Sequence, residues 1–221
     1  MRVRSLLIQH CLRPAFRAMF HPFFQIEFYG IENIPKTGPV ILTPNHVAYL
    51  DPFWIGCGVP RVLHYMTWSE VFRYPYLRPM LWFFNCFPVD QDTPVDKSAF
   101  RRAQQLLAAG EALMIFPEGG RCVSGTIDEF KSGAFRLAIR MKVPVVPVTL
   151  SGAHEVWPIN RTLPRPGKLR VYFHEPQVFT APPKEVKVKS YEAAHLVRSK
   201  ISTRLDPQRR PRDVVLEPAA E

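Results

Sequence analysis

Short apolar, β-branched runs recur along the chain at Phe24–Tyr29, Val40–Thr43, Val62–Met66, Phe87–Val89, Leu113–Phe116, Val145–Leu150 and Leu169–Phe173. Runs of this length and composition read as buried strands. Helical spacing fills the gaps over Asp51–Cys57, Ser69–Phe84, Val95–Ala109, Lys131–Met141 and Ser190–Leu205, the second interrupted by Pro75 and Pro79. Strands alternating with helices predict an α/β fold: a single domain over 24–205, with a mostly parallel mixed sheet covered by helices. No repeat at a solenoid period is present.

The two ends differ from this domain. In residues 1–23, Arg2, Arg4, Arg13 and Arg17 interleave with Leu6, Leu7, Ile8, Leu12, Phe16, Met19, Phe20 and Phe23. Gln9, Arg13 and Arg17 recur on one helical face, while Leu12, Phe16, Met19 and Phe23 gather on another. Such a basic amphipathic segment, kinked at Pro14, suits a membrane interface. A helix packed on the domain's own core would show the same pattern. Gln9 and His10 break the apolar stretch, which argues against a secretory signal, and no segment is long enough to span a bilayer. The Pro- and Lys-rich stretch Ala181–Lys189 reads as a linker into the last helix, and residues 206–221 as a flexible tail.

Composition narrows the classes. An apolar fraction of 47% over 221 residues builds a sizeable core and excludes a disordered chain. Four cysteines without a C-x-x-C pair argue against a zinc ribbon, a redox motif or a secreted disulfide framework, and for a reducing compartment. A net charge of +10 calls for an anionic partner, be it nucleic acid, acidic substrate or lipid surface, although solubility alone can also use it. No zinc finger or RNP-like run accompanies the charge. P-loop, dinucleotide, nucleophile-elbow and H-E-x-x-H patterns are all missing, so neither a metal nor a nucleotide is needed to explain the chain.

Candidate chemistry begins where the second strand ends. Asn45-His46-Val47-Ala48-Tyr49-Leu50-Asp51 leads into Pro52. Aspartate is a favoured helix N-cap and proline suits the first helical position, so the helix is expected to start at Asp51. His46 then lies in a strand-to-helix loop. A carboxylate on one ring nitrogen fixes the tautomer and leaves the other to take a proton, the logic of a general base. The plainer reading makes Asp51 only a cap and His46 only a loop histidine. A second cluster follows the fifth strand: Pro117-Glu118-Gly119-Gly120-Arg121. Its glycines let backbone approach a ligand and Arg121 can fork onto a phosphate, yet a Pro-Glu-Gly-Gly sequence is also an ordinary turn. Lys131 opens the next helix, where a bound anion would relieve its conflict with the helix dipole; an exposed lysine without a role fits equally.

Taken together, these blocks resemble the lysophospholipid acyltransferase family, the glycerolipid acyltransferases typified by 1-acylglycerol-3-phosphate acyltransferase. The likeness spans about residues 24–175. Asn45-His46 to Asp51 is similar to the N-H-x4-D block and Phe87-Pro88-Val89-Asp90 to the second block. Phe116 to Arg121 is similar to F-P-E-G-T-R, and Val143 to Val148 to V-P-V-V-P-V. The resemblance implies that His46 is the general base on an acceptor hydroxyl and that Asp51 orients it. It also implies that an acyl thioester on acyl carrier protein or coenzyme A is the donor, with no cofactor and no metal. Backbone N–H groups would hold the oxyanion, and Glu118, Gly119, Gly120 and Arg121, with Lys131, would bind the lysophospholipid acceptor. Two positions depart from the pattern: Gln91 follows Asp90 where arginine is usual, and Gly120 replaces threonine.

The expectation is therefore a membrane-associated O-acyltransferase on the cytoplasmic face, held at an anionic surface and forming phosphatidic acid. Another lysolipid acceptor, such as a lyso-ornithine lipid, is the nearest alternative. A non-catalytic lipid-binding protein is a further one, and a nucleic-acid-binding protein lacks motif support.

Overall fold

The computed structural model describes residues 23–90, 93 and 96–211, together with Ala15 and Ala18. Most of the expected amphipathic segment, Gln91 and residues 212–221 lie outside the described residues. Seven strands form one sheet: β1 (Phe24–Tyr29), β2 (Val40–Pro44), β3 (Leu63–Trp68), β4 (Cys86–Val89), β5 (Ala112–Met114), β6 (Val145–Ser151) and β7 (Gly167–Phe173). Their order is β1-β7-β6-β2-β5-β3-β4, and every pairing is parallel except β6–β7. The helices are α1 (Asp51–Gly58), α2 (Arg78–Phe83), α3 (Lys97–Ala108), α4 (Gly133–Met141), the short α5 (Ala153–Val156) and α6 (Val186–Ser202).

The centre of the sheet, β2, β5 and β6, is buried on both faces, which is why these strands read as unbroken apolar runs rather than alternating ones. In β2, Val40 and Leu42 join one core and Ile41 the other. The first core takes Trp54 and Ile55 of α1. The second takes Ala99 and Ala103 of α3, Phe135 and Leu137 of α4, and Val197 and Ile201 of α6. Close approach of α1 depends on its glycines. A Cβ at Gly56 would meet the Tyr65 hydroxyl, and one at Gly58 the Phe28 ring.

Three stretches differ from the sequence expectation. Pro75 and Pro79 divide the helix expected over Ser69–Phe84 into a 3-10 turn, Ser69–Arg73, and α2, which holds Pro79 in its first turn, where a missing N–H is tolerated. The linker before the last helix is shorter than expected, because α6 begins at Val186 rather than Ser190. The alternation Val186-Lys187-Val188-Lys189 hides that helical start. The first residues of the expected tail form a turn, Pro207–Arg209. Ser151 donates to Asp206 at 3.0 Å and Arg209 pairs with Glu155 at 2.9 Å.

At the start of α3, Asp96 is the N-cap, accepting from the N–H groups of Ser98 and Ala99 while its other oxygen accepts from Asp90. Burial would raise its pKa, but the Ser98 hydroxyl and these backbone donors outweigh it and hold the group down at about 2. No helix among the described residues is long and apolar enough to cross a membrane.

β5, β2 and β6 are parallel neighbours, so the loops after β2 and β5 leave the same edge of the sheet side by side. The crevice at the carboxyl ends of such strands is where open α/β sheets place ligands.

Candidate active site

Asn45 extends β2 by side chain where its backbone turns away. Its amide donates to Leu150 O at 3.0 Å and accepts from Leu150 N at 2.8 Å, clamping the loop to the end of β6. The next residue is gripped from the other side: His46 N donates to Glu118 Oε1 at 2.6 Å, and His46 O accepts from Cys122 N at 2.9 Å. The ring of His46 stacks on Phe116, with centroids 4.0 Å apart. Backbone and ring are thus both fixed before any carboxylate is considered.

Asp51 closes the loop. Its Oδ2 lies 2.9 Å from His46 Nδ1 and accepts from Val47 N at 2.7 Å and Ala48 N at 2.8 Å. An ionised carboxylate only accepts, so Nδ1 carries the proton toward Asp51 and Nε2 is the nitrogen left to take one. Asp51 is fully buried, whereas the His46 side chain keeps 17% exposure, enough to meet a substrate. The expected cap is corrected here: Leu50 is the N-cap, and Asp51 and Pro52 are the first two helical residues. The carboxylate turns back to the loop because the backbone N–H groups of Val47 and Ala48 point at it.

Glu118 is also largely buried, and both of its oxygens are engaged by backbone. Oε1 takes the N–H of His46 and Oε2 that of Asp128, at 3.1 Å. This places Glu118 under the histidine loop, where its hydrogen bonds brace the backbone. Burial pushes its pKa up to about 8; the two N–H donors pull it down, and the charges of Asp128 and Asp51 add to the rise. The folded protein thus holds a proton that the unfolded chain releases near 4.5, so this group makes stability fall as pH rises from about 4.5 to about 8. In urea unfolding, Glu118→Gln is expected to flatten that loss relative to the parent chain; parallel pH profiles for the two would refute it.

Arg121 lies over the Tyr49 ring at 3.7 Å, so the second cluster reaches across the first loop. Its Nη1 is buried and has no hydrogen-bond partner among the described residues. Gly119 has φ 75°, a left-handed conformation that disfavours side chains, and a Cβ there would collide with the ammonium of Lys131. Lys131 therefore folds over the Gly119 turn; it precedes α4, whose N-cap is Ser132. Gly120 is exposed, with nothing within 4 Å of where a Cβ would stand. Glu118, Cys122 and Asp128 offer ligand atoms within 4.8 Å of one another, but a metal there would compete with the two N–H bonds already on Glu118.

All seven residues singled out from sequence lie in the two adjacent loops or beside the start of the helix that follows each. Sequence reasoning missed the clamp by Asn45, the stacking of Phe116, the Tyr49 platform and the Asp128 N–H. Asn45, Phe116 and Tyr49 lie within the quoted motifs, so adjacency to His46 and Glu118 was a usable signal; nothing in the sequence pointed to Asp128.

Comparison with known proteins places the chain among relatives that share its sequence pattern and fold. Residues 25–151 match the family model described as Acyltransferase. A chloroplastic 1-acyl-sn-glycerol-3-phosphate acyltransferase of Arabidopsis thaliana is 28% identical over 159 residues, covering 71% of this chain and 44% of that protein. The chain thus spans less than half the length of this plant relative. A 1-acyl-sn-glycerol-3-phosphate acyltransferase of Bacillus subtilis is 29% identical over 152 residues, covering 68% of this chain and 73% of the relative. The crystal structure of the 1-acyl-sn-glycerophosphate acyltransferase PlsC from Thermotoga maritima shares the fold with a TM-score of 0.63 at 24% identity, covering 82% of this chain and 78% of the other.

Proposed function

The chain belongs to the acyltransferase family, and from that membership we propose that it is an O-acyltransferase acting on a lysophospholipid, with 1-acylglycerol-3-phosphate as first choice. The carrying observation is the convergence of His46 Nδ1 and two backbone N–H groups on Asp51 Oδ2, which orients the ring and supports Nε2 as the base. The relatives from Arabidopsis thaliana and Bacillus subtilis, named for that acceptor, support the choice.

In the proposed reaction, Nε2 takes the proton of the acceptor hydroxyl as its oxygen attacks the thioester carbonyl carbon. The C–O bond forms, the C–S bond breaks, and the imidazolium returns its proton to the leaving thiolate. Transfer is direct, without an acyl-enzyme. Asp51 stabilises the transient cation. Arg121, whose guanidinium lies over the Tyr49 ring in the His46 loop, and Lys131 take the acceptor phosphate. The donor is acyl carrier protein or coenzyme A. The enzyme works on the cytoplasmic face of a membrane, where a basic surface would favour an anionic leaflet.

A second acceptor class is favoured by one observation. The open space beside Gly120, where threonine is usual in the resembling family, leaves room for a headgroup other than a bare phosphate. The test crosses several lysolipid acceptors with both thioester donors. Transfer to 1-acylglycerol-3-phosphate, with acceptor KM raised in Arg121→Ala, is the expected result. Transfer only to a different lysolipid would move the assignment to that acceptor, and no transfer to any would leave a lipid-binding protein.

A further inference from the structure

The histidine loop is braced through Glu118, and Glu118 is in turn held by a single peptide group. That group joins Ile127 to Asp128. Its N–H end, on Asp128, donates to Glu118 Oε2 at 3.1 Å. Its C=O end, on Ile127, accepts from Arg198 Nη2 at 3.2 Å. The same guanidinium reaches one residue further, where Arg198 Nε donates to Asp128 O at 2.9 Å. A trans peptide carries its N–H and C=O in one plane, pointing in opposite directions. A donor that fixes the carbonyl end therefore aims the N–H end, and hydrogen bonds in series polarise one another.

We infer that Arg198 is a positioning residue for His46, acting through the Ile127–Asp128 peptide and the Glu118 carboxyl group. It lies on α6 and is only 5% exposed, far along the chain from the residues it controls and beyond the 25–151 segment that matches the family. Two features make arginine suited to the place. Its planar fork reaches two successive carbonyls from one rigid group, which an ammonium on a flexible stem does less well. A buried charge also has to be hydrogen-bonded to be tolerated, and those carbonyls supply acceptors. From Arg198 the order runs to the 127–128 peptide, to Glu118, and at 2.6 Å to the backbone N–H of His46. The bond to Asp51 then needs no more than the ring orientation, because the backbone position is already set.

Activity as a readout rests on the acyl-transfer reading, so the experiment pairs it with one that does not. Arg198→Met and Arg198→Lys are made in the full chain, and amide hydrogen exchange is followed at residues 46–48 and in β2 and β6. In Arg198→Met, exchange at 46–48 is expected to quicken while the strand amides stay protected. With an acceptor that the parent chain acylates, kcat is expected to fall about ten- to a hundredfold, as for a misplaced catalytic group, with acceptor KM little changed. Arg198→Lys, which keeps the charge and an ammonium donor group without the planar fork, is expected to fall between. Unchanged exchange at 46–48 with unchanged kcat would overturn the inference, as would exchange that rises equally across α6 and the strands. If Arg198→Met does not fold, the lysine variant is read by the same two criteria. Should the parent chain acylate nothing, the functional reading fails, while exchange still decides the role of Arg198.

Discussion

His46→Ala is expected to lower acyl transfer by about 10²- to 10⁴-fold, the usual contribution of a positioned general base, with folding intact. The ring is partly exposed and its removal leaves the backbone bonds to Glu118 and Cys122 in place. What is lost is the acceptor for the hydroxyl proton, so kcat falls further than acceptor KM rises. The phosphate contacts assigned to Arg121 and Lys131 do not pass through the imidazole. Steady-state kinetics with saturating thioester separate the two parameters. Undiminished kcat in a folded His46→Ala chain would remove His46 from the mechanism and leave the Asp51 network a purely structural loop clamp.

Asp51→Ala carries the second large effect, and it acts on stability as well as rate. The carboxylate is fully buried and its Oδ2 receives three donors. Truncation leaves the N–H groups of Val47 and Ala48 unpaired in the interior, at about 1–3 kcal/mol for each buried group left without a partner. A loss of about 3 kcal/mol or more is expected in urea unfolding, a large part of the stability of a typical domain. The rate falls too, because without the carboxylate the imidazole can take the wrong tautomer and the cation formed in the reaction is unsupported. Asp51→Asn keeps the volume and one acceptor oxygen, so it separates the effects: stability is expected to recover in part while the rate stays low. An Asp51→Ala chain as stable as its parent would mean that the loop N–H groups find other partners and that Asp51 is not the loop's anchor.

Much of the fold was legible because its central strands are buried on both faces. Such strands need unbroken apolar runs, and β2, β5 and β6 show them. By contrast, β1 and β7 alternate apolar with polar residues and were legible from that period of two. All limits fall within a few residues of those observed. The helices were legible where their apolar spacing is regular. They were not where prolines cut the pattern, near Pro75 and Pro79, or where Val-Lys alternation resembles a strand, at the start of α6. The residues of the candidate site were visible as two short motifs, because side chains that share a loop are close in sequence as well as in space. The role of Asp51 was only half visible. Its identity and position before Pro52 suggested a cap, whereas its carboxylate faces backward because the loop before it, not the helix after it, presents the buried N–H groups.

The sequence by itself determined the alternation of strands and helices, the net basic charge, and the candidacy of one histidine and one carboxylate five residues apart. Only the tertiary structure decided how that pair is held. Parallel pairing of β2 with β5 and β6 places the Asn45 clamp, the Glu118 brace and the Phe116 stack around one loop, although they come from segments far apart in the chain. Arg198 shows the reason most plainly. A hydrogen bond depends on where two groups lie in space, and no spacing in the sequence records that α6 brings a guanidinium to the far end of the peptide that Glu118 holds.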